Sequence, residues 1–262
     1  MNNHWLFAAA LLLCACTQIK TDIDKYGLNC KAEEITLQSD TLELPYTVRF
    51  NKEGQVMQVI TMNFDLSPRY TETYIYDAQK RLMEISGVNA ENETEARYEY
   101  EYDGRFIREC RMYGMNNQEV HRWVHTNDGR HIVRTEYYNE GEFTYTTTKA
   151  FKGDTYKEES TDPEGNVLGK ADVVFLTEEK PMSVKGDSID MEITYNEKGL
   201  PTMSRGTLLT STGEMKWARD LEDFPCRYYS YEYDERGNWI SRAESVHPDS
   251  TAYSVLHRII KY

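Results

Sequence analysis

The sequence predicts an all-β protein, an antiparallel array of β-hairpins forming a twisted or coiled extended sheet, and three observations predict it. The first is composition: 20 Tyr stand against 8 Phe, and Tyr and Thr suit a pleated, half-buried surface better than a helix. The second is alternation with a period of two, clearest at Arg97-Tyr98-Glu99-Tyr100-Glu101-Tyr102. It puts three tyrosines on one face and charges on the other, which no helix face can do. The third is a loose internal repeat in which an aromatic or Thr is followed by Asp or Asn and a short turn that usually holds Gly.

Taken in chain order, residues 1–15 stand apart from the fold. Trp5 to Ala15 is an apolar stretch well short of the roughly 20 residues a membrane-spanning helix needs, and it has the length of a signal-peptide core. Leu13-Cys14-Ala15-Cys16 resembles the lipobox of bacterial lipoproteins, a small residue before the cysteine, which makes Cys16 the expected acylated first residue of the mature chain. Two or more lipid tails, at about 0.8 kcal/mol per buried methylene, would anchor it for good. Residues 16–34 are expected to hold the lipidated cysteine and a tether, and residues 35–262 the β domain.

Within that domain the first strand is expected over Glu34 to Gln38. Aromatic and β-branched runs follow at Thr71 to Tyr76, Ala96 to Tyr102, Val120 to Thr126, His131 to Tyr138, Asp190 to Tyr195 and Tyr228 to Tyr233. The repeat punctuates them. Its units begin Phe50-Asn51, Tyr76-Asp77, Tyr102-Asp103, Thr126-Asn127, Thr161-Asp162, Tyr195-Asn196 and Tyr233-Asp234. An Asp or Asn at the start of a turn folds its side chain onto the backbone two residues on, so these positions are read as hairpin turns. Lys80 stands where other units have Gly, and Ala171 to Asp190 has no clear unit.

These turns resemble the YD (tyrosine-aspartate) repeat of RHS-type proteins, best at Tyr231-Glu232-Tyr233-Asp234-Glu235-Arg236-Gly237-Asn238-Trp239. The closing Arg258-Ile259-Ile260-Lys261-Tyr262 is similar to the ends of RHS-repeat-like lipoproteins of gut-dwelling Gram-negative anaerobes. The resemblance implies a continuous sheet of coiled hairpins and an outer-membrane lipoprotein, periplasmic or surface-exposed. It brings no catalytic residues.

The formal net charge of -14 argues against nucleic acid or anionic lipid headgroups as partners of the body, since both need a basic footprint. Once Cys14 is removed and Cys16 acylated, Cys30, Cys110 and Cys226 remain. They are read as small buried hydrophobes, with one disulfide left open. His121 and His125 share a strand face but stand about 13 Å apart, too far for one zinc ion. The oxygen-rich segments at Asp162 and Asp234 lack the ligand alternation of a calcium loop and are read as turns. No metal or cofactor is expected. The chain holds no Gly-x-Ser-x-Gly, His-Glu-x-x-His, phosphate loop or Cys-x-x-Cys, so no enzyme is expected, although paired carboxylates remain an open route to a hydrolase.

The residues left with a functional reading are Trp123, Trp217 and Trp239, with outward tyrosines such as Tyr113, Tyr137 or Tyr228, as flat faces for sugar rings. The expected function is a lipid-anchored envelope module that binds glycan or another envelope protein. The alternative is a structural scaffold without a small ligand.

Overall fold

The structure, a computed structural model, describes residues 22, 26–39, 44–177, 180–187, 189–208 and 226–262. The chain runs as β1 (Glu34–Ser39), β2 (Tyr46–Phe50), β3 (Val56–Met62), β4 (Pro68–Tyr76), β5 (Leu82–Asn89), β6 (Thr94–Asp103), β7 (Phe106–Gly114), β8 (Glu119–Asn127) and β9 (Ile132–Asn139). It continues as β10 (Glu142–Lys152), β11 (Thr155–Thr161), β12 (Val167–Thr177), β13 (Lys180–Gly186), β14 (Ile189–Tyr195), β15 (Pro201–Leu208), β16 (Arg227–Tyr233), β17 (Trp239–Ser245) and β18 (Ser254–Lys261). Each strand pairs antiparallel with its successor, and β1 pairs with β2 on one edge and β18 on the other, as in Ile35 opposite Val48 and Ile260. The 18-stranded sheet is therefore a closed barrel.

Closure corrects the expectation of an open, extended sheet. An open array leaves a row of unpaired backbone groups at each edge, and here the first strand fills the gap between the second and the last. The turns supply the curl. Pairing register shifts beside the motif aromatic at Arg49/Phe50, Ile75/Tyr76, Glu101/Tyr102, Thr194/Tyr195 and Glu232/Tyr233. Each shift is a β-bulge that bends its strand and adds twist, so the repeat that marks the turns also bends the wall.

Because strands alternate in direction, turns fall on two rims. Six of the seven repeat units sit on the rim that carries the β2–β3 turn, called rim A; the Thr161 unit, between β11 and β12, sits on the opposite rim B. The turn chemistry is as read. Asn51 Oδ1 accepts from the Glu53 and Gln55 amides at 3.0 and 2.9 Å, and Asp234 Oδ1 accepts from the Arg236 and Asn238 amides at 3.0 and 2.8 Å. The fourth turn position is left-handed, with φ 84° at Gly54 and 76° at Gly237. Lys80, the departure noted above, adopts φ 65° and keeps the turn with a side chain that resists it.

Buried side chains define the inner face and gather towards rim A. Leu28, Ala32, Ile35, Leu37, Val48, Phe50, Val56 and Trp239 form one cluster, and Ile85, Tyr100, Phe106, Ile107 and Cys110 a second. The tether expected up to residue 34 is corrected over its described part. Leu28 and Ala32 are core residues, and Asn29 and Arg258 tie this segment to the barrel: the Asn29 amide donates to Asn238 Oδ1 at 2.6 Å, and Arg258 donates to the Tyr26 carbonyl at 2.7 Å.

The outer face is charged where it is most regular. Arg97 pairs with Glu84 and Glu99, Arg108 with Glu101, Arg111 with Glu101 and Glu109, and Arg134 with Glu136. A transmembrane barrel turns an apolar band about 25 Å tall towards lipid, whereas this stretch of wall presents paired charges. Each ion pair is worth under about 1 kcal/mol in water; placed against acyl chains, the same groups would be prohibitive.

Candidate functional site

Cross-strand register carries one inward row across a quarter of the barrel: Tyr100 faces Cys110, Cys110 faces Trp123, Trp123 faces Tyr137 and Tyr137 faces Tyr145. A parallel row runs Tyr98, Met112, His121, Asn139. Tyr100 and Cys110 are buried, whereas His121, Trp123, Tyr137 and Tyr145 stay half-buried. Those four rings form a continuous patch. Centroids are 4.9 Å apart for Tyr137 and Tyr145, 5.6 Å for Trp123 and Tyr137, 5.6 Å for His121 and Tyr137, and 5.8 Å for His121 and Trp123.

Polar groups are fixed around the patch. The Tyr137 hydroxyl and His121 Nδ1 share a hydrogen bond of 2.7 Å, and His125 Nδ1 shares one of 2.9 Å with the Thr135 hydroxyl. Burial lowers the pKa of His121, and burial with nearby Lys149 lowers that of His125 to about 4, so both imidazoles are neutral at neutral pH; the charge beside them is the Lys149–Glu158 pair, 3.5 Å apart. Burial pushes the Cys110 thiol up to about 12, which leaves it an inert hydrophobe. Further round the inner face, burial raises the pKa of the Glu72 carboxyl, which accepts from the Tyr74 hydroxyl at 2.8 Å.

Eighteen strands spaced ~4.8 Å apart, and tilted as closure requires, have a perimeter of at least about 86 Å, so a circular section would measure at least about 27 Å between backbones, too wide for side chains alone to fill. The half-exposure of the inward rings agrees with that size. A concave surface of flat aromatic faces edged by hydroxyl, amide and imidazole groups suits a ligand with apolar ring faces and many hydroxyls.

The candidates named from sequence scatter. Trp123 lies at the centre of the patch with Tyr137, which faces inward. Trp239 is 8% exposed, packed in the core with the Arg258 guanidinium 3.9 Å from its ring centroid, and has no free face. Tyr113 lies on the outer wall under the guanidinium of Arg97, 4.3 Å from its ring, and Tyr228 sits by His247. Trp217 and Cys16 lie outside the described residues. Tyr145 was not singled out because a bulge between Phe143 and Tyr145 breaks the alternation that would have placed it inward; the register of Tyr137 is the signal that finds it. Cys30, Cys110 and Cys226 are free thiols, and among the described residues no three His, Cys, Asp or Glu side chains gather as metal ligands would.

No protein-family model matches the chain, and no curated protein matches it. Among solved structures, a porin-like protein from Bacteroides uniformis ATCC 8492 gives a TM-score of 0.44 at 11% identity over 88% of this chain and 98% of its own. A porin-like protein from Bacteroides vulgatus ATCC 8482 gives 0.41 at 11% identity over 88% and 98%. A chain of the TcdB2-TccC3-Cdc42 complex gives 0.30 at 10% identity over 76% of this chain and 12% of its own. At these TM-scores no role passes from those proteins to this one.

Proposed function

We propose that the mature chain is a lipid-anchored binding module of the bacterial outer membrane that takes a carbohydrate ligand against the aromatic wall inside its barrel, without turning it over. The observation that carries the reading is the half-buried patch of His121, Trp123, Tyr137 and Tyr145 on the concave inner surface. Anchoring rests on the lipobox-like residues before Cys16, and the charged outer wall supports a barrel that stands beside the bilayer rather than in it. Kinship with YD-repeat proteins belongs to the same proposal, supported by the Asp and Asn turns of rim A.

The test is a glycan array probed with the mature protein and with Trp123→Ala. Binding to a glycan class that Trp123→Ala weakens by about tenfold, as expected for one lost aromatic platform, supports the reading. Glycan binding that survives Trp123→Ala, or none at all, refutes it, and capture of an envelope protein by cross-linking would then favour a protein ligand. Anchoring is read separately, from palmitate labelling that Cys16→Ser abolishes, and location from protease shaving of intact against permeabilised cells.

A further inference from the structure

The lined wall continues beyond the aromatic patch, because register carries three more inward rows across it towards rim A. In the first, His125, Thr135, Thr147 and Ser160 face one another in turn and end on Gly169. Next come Lys149, Glu158, Ala171 and Gly186, and last Phe151, Tyr156 and Val173. The last row is the base of a second aromatic platform. The His131 ring stacks on Phe151 with centroids 4.1 Å apart, Tyr156 lies 5.1 Å from Phe151, and Phe175 lies 5.8 Å from Tyr156. All four rings are half-buried.

Tyr145 and Phe151 stand on one strand, β10, six residues apart with no bulge between them, which sets the two platforms about 20 Å apart. The gap between them is polar. The Thr147 and Ser160 hydroxyls share a hydrogen bond of 2.8 Å, which leaves the pair a donor hydrogen and spare acceptor lone pairs. Lys149 Nζ stands 3.5 Å from Glu158, and both side chains are partly exposed. Beside them the lining shrinks to Gly169, Ala171 and Gly186, and a Cβ at Gly169 would meet nothing within 4 Å. Large rings thus stand at both ends of the gap, and small residues line its middle. The segment ahead of β1, which covers part of rim A, is tied to Val56, Tyr76, Asn238 and Arg258, on the other half of the ring.

We propose that the inner wall of β8 to β12 is one extended site for a linear, uncharged oligosaccharide, which an aromatic platform grips towards each rim. The proposal rests on the glycan reading above and adds a chain length and a charge to it. A mono- or disaccharide covers one platform; only a longer chain touches both while its hydroxyls meet the polar rows between them. Joining two weak contacts through one chain makes the second binding step intramolecular, so affinity climbs once the chain reaches both. The charge follows from the middle of the gap. Lys149 and Glu158 already neutralise each other, and an acidic or amino sugar would have to compete with one member of that pair for the other.

The experiment is titration calorimetry of the mature protein with oligosaccharide ladders derived from cellulose, starch and chitin, each from one to six units, and with an oligogalacturonate ladder as the charged control. Expected is an affinity that rises at least about tenfold from the disaccharide to the hexasaccharide of a neutral ladder. Tyr156→Ala and, separately, Trp123→Ala should each lower hexasaccharide affinity by about tenfold. Phe175→Leu, a milder change in the second platform, gives the same reading if Tyr156→Ala fails to fold. Equal affinity for short and long members, or hexasaccharide binding that the second-platform variants leave intact, overturns the extended site and leaves the Trp123 patch standing. Tighter binding of oligogalacturonate than of every neutral ladder overturns the charge assignment. No binding of any ladder overturns the proposal, and the glycan array decides separately whether the Trp123 patch takes a glycan of another kind.

Discussion

Asn238 closes the barrel where its first and last segments meet, and its removal tests that closure. The side chain is 0% exposed. Its Oδ1 accepts from the Asn29 amide at 2.6 Å, and its Nδ2 donates to the Tyr262 hydroxyl at 2.8 Å. Asn238→Ala deletes both bonds, worth about 1 kcal/mol each net, and leaves a small cavity, so a loss of about 2–4 kcal/mol follows. For a chain of this size that lowers Tm by about 5–15 °C. The backbone of the turn is untouched, since Asp234 still accepts from the residue 238 amide. Asn29→Ala is the control: it removes only an exposed bond to the Gly237 carbonyl and should cost under about 0.5 kcal/mol. Urea unfolding followed by tryptophan fluorescence reads both, with Trp239 next in sequence as reporter. Equal, small losses in the two variants would refute the claim that this contact holds the ring shut.

Three further predictions concern single groups. The folded-state pKa of His125, near 4 against an ordinary 6.5, means that the fold favours the neutral ring. Its stabilisation is complete above pH 6.5 and is lost as pH falls towards 4, by up to about 3 kcal/mol, because the unfolded chain takes up the proton first. Urea midpoints across that range should fall less steeply in His125→Gln, and identical slopes would sink the assignment. Lys80→Gly should stabilise by about 0.5–1 kcal/mol by relieving a left-handed lysine; a loss in thermal unfolding would mean that other contacts of Lys80 outweigh the strain. Gly87→Ala would put a methyl 1.8 Å from the Tyr70 hydroxyl and should cost about 1–3 kcal/mol. In a Tyr70→Ala background most of that cost should vanish, and an unchanged cost would show that the clash lies elsewhere.

Much of the wall was legible because it depends on local chemistry. The alternation of Tyr98, Tyr100 and Tyr102 fixes which side of β6 faces in, and Asn51, Asp77, Asn196 and Asp234 announce their turns through bonds to backbone amides a few residues away. Closure was not legible, because it depends on how bulges add around the sheet and on β1 meeting β18, more than 200 residues away in sequence. The same limit explains the site. Trp123 and Trp239 look alike as exposed platforms in the sequence, and only cross-strand register separates one half-buried on a concave face from one sealed beneath Arg258. Leu28 and Ala32, read as tether, show no local pattern of a core segment; they are buried because the rim A opening needs covering.

Closure by the first strand sets an order of events during synthesis. β1 is made early, yet one of its two partners is β18, so the sheet keeps two open edges until that strand has been made. Pairing over such a span has high contact order and is slow. No fragment that lacks β18 can complete the ring. The stable form is therefore reached only after β18 arrives, whatever the earlier strands have already paired.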